Sequence, residues 1–388
     1  MKILLATESY WPNLDGGALF ERRLAHGLAA LGHQVSVWAP GKSLHSYTEP
    51  DDNTTIYREK SAVLLVNPKY RVSFWPFWSA RRHIKDLRPD VIHVHNAGLM
   101  GLSALFWGKR FHIPIVATNH FMPENALLNM KSIDRPFFHK LIWRYLVWFH
   151  NRCNFVTSPT PTAVKLLVDH GLTAPHRAIT NGIDMAVFKP GIDPNRVIVK
   201  YSLPTEEPIL LYLGRVDGEK RIDLIISAMP LILAQQKAHL VIAGAGVAMK
   251  ACQKQVADLG LSDHITFTGF LDESDKPLLY NAATLFVMAS PAELQSIVML
   301  EAMATALPIV SVDVAALKEL CHDGENGYLF KRDDYDQMAN KINAILADPK
   351  LKASFGLESK NIVTLNHATE VTFKAYEAAY NEVMASRT

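Results

Sequence analysis

Cysteine is scarce in this chain of 388 residues: three, at positions 153, 252 and 321, in no metal or redox spacing. Such thiols read as reduced and packed. That sets aside a disulfide scaffold and a zinc site and points to a cytoplasmic protein. No run of about 18 apolar residues occurs, so no helix is expected to cross a membrane. The opening Met1-Lys-Ile-Leu-Leu-Ala-Thr-Glu8 is too short and too soon charged for a signal peptide, and reads as a first strand. No Asp-x-Asp pair stands in a candidate site, so neither a metal nor a cofactor is expected. Acidic residues are missing from 60–85 and again from 135–168. What remains is 49% apolar and 20% charged, a globular composition long enough for two or three domains.

The net charge of +2 hides an asymmetry, with 21 Lys/Arg against 13 Asp/Glu in residues 1–185 and 19 against 25 in residues 186–388. The first half should therefore meet something anionic. Its acid-free segments interleave cations with large rings. One holds Lys60, Lys69, Arg71, Arg81, Arg82 and Lys85 around Phe74-Trp75-Pro-Phe-Trp78, and the other is an expected helix, Phe137 to Arg152, with Lys140, Arg144, Trp143, Tyr145 and Trp148. Cations on lipid phosphates with rings at headgroup depth suit a membrane interface. Nucleic acid would attract the same charge, but no nucleic-acid fold motif accompanies it. For Phe137–Arg152, a core helix with basic residues snorkelling to water explains the composition equally well.

Along the chain, a strand (Lys2 to Thr7), a loop (Glu8 to Gly17), a helix from near Ala18 with Leu19, Leu24, Leu28 and Leu31, and a strand (Gln34 to Trp38) open a dinucleotide-type α/β domain. Val91 to His95 and Ile113 to His120 are further strands, each ending in histidine, where open α/β sheets bind ligands. His93 and His95 are read as structural. Breaker residues in 186–204 read as a linker. A second α/β domain follows: strand Ile209 to Leu213, Gly214-Arg-Val-Asp-Gly-Glu-Lys220, a helix through Leu224 to Met229, and strand Leu240 to Ala243. Arg215 and Lys220 bring two cations to a strand's end, facing any bound diphosphate. Gly244-Ala-Gly246 invites a nicotinamide reading, but Met249 stands where the third glycine belongs.

The most informative stretch is Pro291 to Pro308, between the strands Leu285 to Met288 and Ile309 to Val312. From Ile297 to Ala304 it is apolar almost all round, like a buried helix, yet Glu301 sits inside it and Glu293 eight residues earlier. A buried carboxylate is costly without hydrogen-bond donors, and the free N–H groups around Gln295, Ser296 and Ile297 form a helix N-terminus that attracts phosphate. A surface glutamate and a buried salt bridge are the plainer alternative.

This segment resembles the Glu-x7-Glu motif of the large retaining glycosyltransferase family 4, with the GT-B fold: α/β, two Rossmann-like domains facing each other across a donor-binding cleft. The resemblance runs from the first loop to the last helix. It implies that Glu293 binds the donor sugar, Glu301 the ribose, and the backbone of Ser296, Ile297 and Val298 the diphosphate. It likewise implies diphosphate contacts for Gly16 and Gly17, Arg215 and Lys220, and base contacts near Gly269 in Ile265-Thr-Phe-Thr-Gly-Phe-Leu271. His120, in Thr118-Asn119-His120, matches the histidine beside the reacting sugar. The implied domains are 1–185 on the acceptor side, a linker at 186–204, a nucleotide-sugar domain at 205–365, and a C-terminal helix in 366–388 that in this fold commonly returns to the first domain. Three departures stand out. Gln295 is similar to the branch that glycosylates diacylglycerol; Ser296 replaces glycine and narrows the room for phosphate; Ala306 replaces a glycine that would suit a left-handed backbone.

The resulting expectation is a metal-independent, retaining transferase with His120, Glu293, Arg215 and Lys220 at the reacting centre. It moves a hexose, glucose first, from a UDP-sugar to a lipid, diacylglycerol first, at the inner face of an anionic membrane. Arg71, Trp75, Trp78, Arg81, Arg82, Lys140 and Arg144 touch that membrane, and no nucleic acid is involved. A transferase acting on a polysaccharide, a lipopolysaccharide precursor or a soluble acceptor is the rival. A non-catalytic nucleotide-sugar or lipid-binding protein is the alternative of another class. A nicotinamide oxidoreductase is more distant, because neither glycine loop carries the fingerprint.

Overall fold

The computed structural model describes residues 1–13, 16–64, 67–123 and 135–386. Leu14 and Asp15 of the first glycine loop lie outside the described residues, as does the side chain of Lys69. The chain forms two compact units, Met1–Gly182 with Thr369–Thr388, and Ile183–Ala368. Among the described residues, no helix is long and apolar enough to cross a membrane.

The first unit is built on β1 (Lys2–Ala6), β2 (Gln34–Pro40), β3 (Tyr47–Asp51), β4 (Thr54–Glu59), β7 (Val91–Val94), β8 (Ile115–Thr118), β9 (Phe155–Ser158) and β10 (His176–Ala178). They lie in the order β10-β9-β8-β7-β1-β2-β4-β3, parallel except for β3; β5 (Ser61–Leu64) and β6 (Asn67–Ser73) pair as a separate antiparallel ribbon. Strands β1, β7 and β8 are buried at every residue but Lys2, as continuous apolar runs should be in a sheet covered on both faces. The first helix, Gly16–Ala30, begins at the glycine pair rather than at Ala18, and buries Leu24 and Leu28 along with Phe20 and Ala25, while Leu31 is exposed.

The last helix, Thr369–Ala385, packs within this unit. Tyr380 and Thr118 hydrogen-bond the two ring nitrogens of His93 at 2.8 and 2.7 Å, and the Tyr376 hydroxyl reaches Thr118 at 3.2 Å. His93 and His95 are fully buried, their rings 4.0 Å apart. Burial, with the neighbouring histidine charges, pushes the His93 imidazolium down to about 3 and His95 well below its ordinary value; burial alone pushes His150 down to about 4. Unfolded, all three take up protons near pH 6.5. The folded state resists those protons, so the stability these histidines contribute is complete above pH 6.5 and is lost as the pH falls from there towards 4. Each contributes a slope of up to about 1.4 kcal/mol per pH unit. Glu8, whose carboxyl burial raises, acts in the opposite sense, one group against three. The urea midpoint should therefore drop between pH 7 and pH 5; an unchanged midpoint would contradict neutral burial of these rings.

The second unit has six parallel strands: β11 (Ile209–Leu213), β12 (His239–Ala243), β13 (Ile265–Gly269), β14 (Leu285–Met288), β15 (Ile309–Val312) and β16 (Gly327–Phe330), in the order β13-β12-β11-β14-β15-β16. Residues 186–204, read as a linker, belong to this unit and contain the helix Asn195–Tyr201, whose Arg196 and Lys200 grip the buried Asp275. Ala306 does adopt a left-handed backbone, φ 62°, where an L residue costs about 1 kcal/mol relative to glycine.

Candidate functional site

In an open α/β sheet, ligands settle at the carboxyl ends of the strands where the strand order reverses. In the second unit that point lies between β11 and β14: from β11 the chain runs outward through β12 and β13, then returns to β14 and runs the other way. The loops that follow these two strands are Gly214–Arg221 and Ala289–Ser296. The sheet topology therefore brings together two segments about 75 residues apart in sequence.

There the Lys220 ammonium donates to Glu293 Oε1 at 2.6 Å, with both side chains about seven-eighths covered. The first loop is held from below. Tyr212 donates its hydroxyl to the carbonyl of Arg215 at 2.8 Å, and Gly214 takes φ +150°, which favours glycine. Gly214 N–H donates to Ala243 O and Gly244 N–H to Gly269 O, both at 2.9 Å, stitching the ends of β11, β12 and β13. A Cβ on Gly244 would lie 1.8 Å from Gly214 O, and one on Gly246 2.2 Å from Val216 O. These two glycines answer to neighbouring carbonyls, which accounts for them without any dinucleotide. Gly269 has φ +69° and open space where a Cβ would stand, so its backbone is accessible from that side.

Arg215 is not a free cation. Its guanidinium pairs with Asp217 and with Glu219 at 2.8 Å, and its side chain is 57% exposed. Neither acid figured in the sequence reading. Only the short spacings 215–217 and 215–219 hinted at them.

Beyond Glu293 the chain enters the helix Ile297–Ala304, capped by Ser296, whose Oγ accepts from Met299 N–H at 3.3 Å. Ser296 is buried, and its hydroxyl is turned to the helix's own backbone. Glu301 is buried one turn into this helix. Its Oε2 accepts from the Tyr280 hydroxyl at 2.8 Å, and Lys276 Nζ stands 4.0 Å from Oε1. The tyrosine oxygen also lies 3.0 Å from Val298 O, so its one proton is shared between the two acceptors, and burial beside the carboxylate raises its pKa well above the ordinary value. Tyr280 and Lys276 lie on the preceding helix, Lys276–Ala282, and no local pattern linked them to Glu301.

In the first unit the strand order reverses between β1 and β7. Gly16 and Gly17 open the helix after β1, and His120 follows β8, its ring 5.8 Å from that of His95 and 5.1 Å from Phe20. A residue the sequence reading passed over holds the same loop. Glu8, after β1, accepts from Met100 N–H at 2.6 Å and so anchors the start of the helix Leu99–Arg110.

The basic, aromatic residues spread over one side of this unit. Trp75, Trp78, Arg81 and Arg82 are exposed on the helix Phe77–Leu87 and the turn before it, with Arg81 over the Trp107 ring at 5.5 Å. On the helix Arg135–His150, Lys140 and Arg144 are exposed beside a stripe of exposed Phe137, Leu141, Tyr145 and Trp148. One face of this helix is core, with Trp143, Leu146 and Phe149 buried, so Trp143 is not one of the outward rings. The other face carries exposed rings as well as cations, which snorkelling alone does not explain. Arg71 differs, since its guanidinium is held by Ser61 and the carbonyl of Lys42.

Residues 195–361 match the family described as Glycosyl transferases group 1, and residues 14–187 match Glycosyltransferase Family 4. An alpha-monoglucosyldiacylglycerol synthase of Streptococcus pneumoniae is 27% identical over 90% of this chain and 80% of its own length. A lipopolysaccharide core biosynthesis mannosyltransferase of Rhizobium leguminosarum is 31% identical over 62% of this chain and 68% of its own. Among solved structures, sucrose-phosphate synthase from Thermosynechococcus elongatus superimposes with a TM-score of 0.80 over the whole of both chains at 20% identity, a likeness of fold. Two matched segments that between them span both units, and a relative above 30% identity, lead to one conclusion: the chain belongs to the group 1, family 4 glycosyltransferases and has their GT-B fold.

Proposed function

We propose that this glycosyltransferase moves a hexose, glucose in the first instance, from a UDP-sugar to a membrane lipid, diacylglycerol in the first instance, with retention at the anomeric carbon and without a metal. The observation that carries the donor half is the Lys220–Glu293 pair beside a helix N-terminus. Breaking the sugar–phosphate bond builds positive charge at the anomeric carbon and negative charge on the departing diphosphate. Fixed charges and dipoles aimed at the leaving group then give the largest gain. Lys220 and the amides of Ser296, Ile297 and Val298 meet the diphosphate. Arg215 assists by exchanging one of its acids for phosphate. Glu293 orients the sugar hydroxyls, with Lys220 holding its carboxylate in place. Glu301, held by Tyr280, takes the ribose; Gly269 offers its backbone to the base; His120 lies beside the sugar. As the C–O bond to phosphate breaks, the acceptor hydroxyl forms the new bond from the same face. Its proton passes to the departing phosphate oxygen.

The exposed cations and rings of the first unit support a lipid acceptor, as does the likeness to a synthase named for glucosyldiacylglycerol. The protein would then sit peripherally on the inner face of an anionic membrane. The likeness to a lipopolysaccharide core enzyme supports the rival acceptor. Nucleotide release from UDP-, GDP- and ADP-sugars, with and without anionic vesicles holding diacylglycerol, tests both halves. The expected result is release from one UDP-sugar only with the lipid. Release without lipid dependence would remove the lipid acceptor, and silence across the panel would leave a nucleotide-sugar-binding protein.

A further inference from the structure

One cavity lies in the first unit, far along the chain from the Lys220–Glu293 pair. It is a groove of about 580 Å³ along the outer side of the helix Leu99–Arg110, within the usual range for small-molecule pockets. Leu99, Leu102, Phe106, Trp75, Phe77 and Trp148 line it. Large apolar side chains left in water this way mark a surface that something covers. Leu99, Phe106, Trp75 and Trp148 are 49%, 52%, 77% and 43% exposed.

Two cations, Lys109 and Arg152, stand in the wall of this otherwise apolar groove. Arg152 lies over the Trp148 ring at 4.2 Å and donates to the Trp148 carbonyl at 2.9 Å, which fixes the guanidinium beside the apolar wall. Among the described residues no carboxylate pairs with Lys109, Arg152, Arg81, Lys140 or Arg144. The helix carrying Trp148 sets Lys140 and Arg144 before it at four-residue steps, and Arg152 follows in the turn past the helix end, so the cations continue away from the groove along the helix.

We propose that this groove binds one acyl chain of an anionic lipid, with the lipid's headgroup phosphate on Lys109 and Arg152. An apolar slot beside unpaired cations is complementary to an anionic amphiphile: the chain replaces water along the rings, and the phosphate supplies the missing counter-charge. Such a lipid is an anchor, distinct from the acceptor whose hydroxyl reacts. The inference rests on the membrane-surface reading above and not on the donor sugar.

The probe is lysophosphatidylglycerol with a brominated acyl chain, below its micelle concentration, added to the full chain. Bromine quenches tryptophan on contact, and lysophosphatidylcholine with the same chain is the zwitterionic control. The expected result is one-to-one, saturable quenching, reduced in Trp75→Phe and in Trp148→Phe. Lys109→Glu combined with Arg152→Glu should weaken the anionic lipid roughly tenfold or more and leave the zwitterionic one little changed. Phe106→Asp, at an exposed position that leaves the core intact, should abolish both. Unsaturable quenching, or equal affinity for the two lipids, overturns the proposal. So does a concentration-dependent dimer that Phe106→Asp disperses, which would make a second copy the occupant. Donor turnover needs no lipid in this groove. Loss of the groove with lipid-dependent transfer retained would therefore refute the anchor alone, and loss of lipid-dependent transfer with the groove intact would refute the acceptor alone.

Discussion

Replacing Glu293 by Gln should lower kcat for sugar transfer by about 10²–10³, or about 2.7–4 kcal/mol, and leave the folded state intact. Lys220 and Glu293 meet at 2.6 Å on two loops that only the sheet holds together, and neither is in the core clusters that stabilise the second unit. A glutamine keeps the shape and one acceptor oxygen. It loses the charge that fixes Lys220 and that orients the sugar as the anomeric carbon turns positive. Lys220→Met should cost a similar factor by leaving the departing diphosphate without its nearest cation, and it should raise KM for the donor as well. Since each residue positions the other, the double variant should be little worse than the poorer single one. Steady-state transfer with matched thermal melts measures all of this. Near-normal turnover in Glu293→Gln would sink the assignment. Fully multiplicative losses would mean that the two residues act separately.

The parts of this site that were legible in the sequence are those in which one segment carries its own chemistry. Glu301 could be found because a carboxylate within an all-round apolar helix needs a reason, and Glu293 because it stands eight residues earlier in the loop before that helix. Arg215 and Lys220 could be found because cations right after a glycine-ended apolar strand face the ligand side of a sheet. What fills the other half of each interaction comes from elsewhere in the chain. Tyr280 satisfies Glu301 across a helix pair, Asp217 and Glu219 neutralise Arg215, and the strand order alone decides that the loops after β11 and β14 are neighbours. The helix Pro349–Asn366 went unread for a related reason: Phe355, Ser359, Ile362 and Val363 face inward while Gly356 is pressed against Ala306 O, so its buried side is only partly apolar. The groove between the helices Phe77–Leu87, Leu99–Arg110 and Arg135–His150 belongs to none of them singly. Sequence showed its tryptophans but not that they share a cavity.

Gly244→Ala should be the most damaging small substitution in the second unit, with a loss above about 3 kcal/mol or no folded protein at all. Two effects add. The backbone there has φ +139°, which L residues rarely adopt, and a methyl group would lie 1.8 Å from the carbonyl oxygen of Gly214. Neither backbone can yield cheaply. Gly244 N–H is bonded to Gly269 O at 2.9 Å and Gly214 N–H to Ala243 O at 2.9 Å, so a shift at either glycine pulls three strand ends apart. Two controls separate the causes. Gly260→Ala faces φ +67° with nothing within 4 Å of the new carbon, and should lose only the conformational part, about 1–2 kcal/mol. Gly218→Ala, in the loop that carries Lys220, has neither a positive φ nor a neighbour and should unfold within about 0.5 kcal/mol of the parent. Urea unfolding of the three variants decides it. Should Gly244→Ala and Gly260→Ala lose the same amount, the contact with Gly214 is not limiting. A larger loss in Gly244→Ala means that one missing methyl lets the loops after β11 and β12 close on each other. Any Gly244→Ala protein that does fold should then also transfer sugar poorly, because the displaced Gly214 turn carries Lys220 away from Glu293.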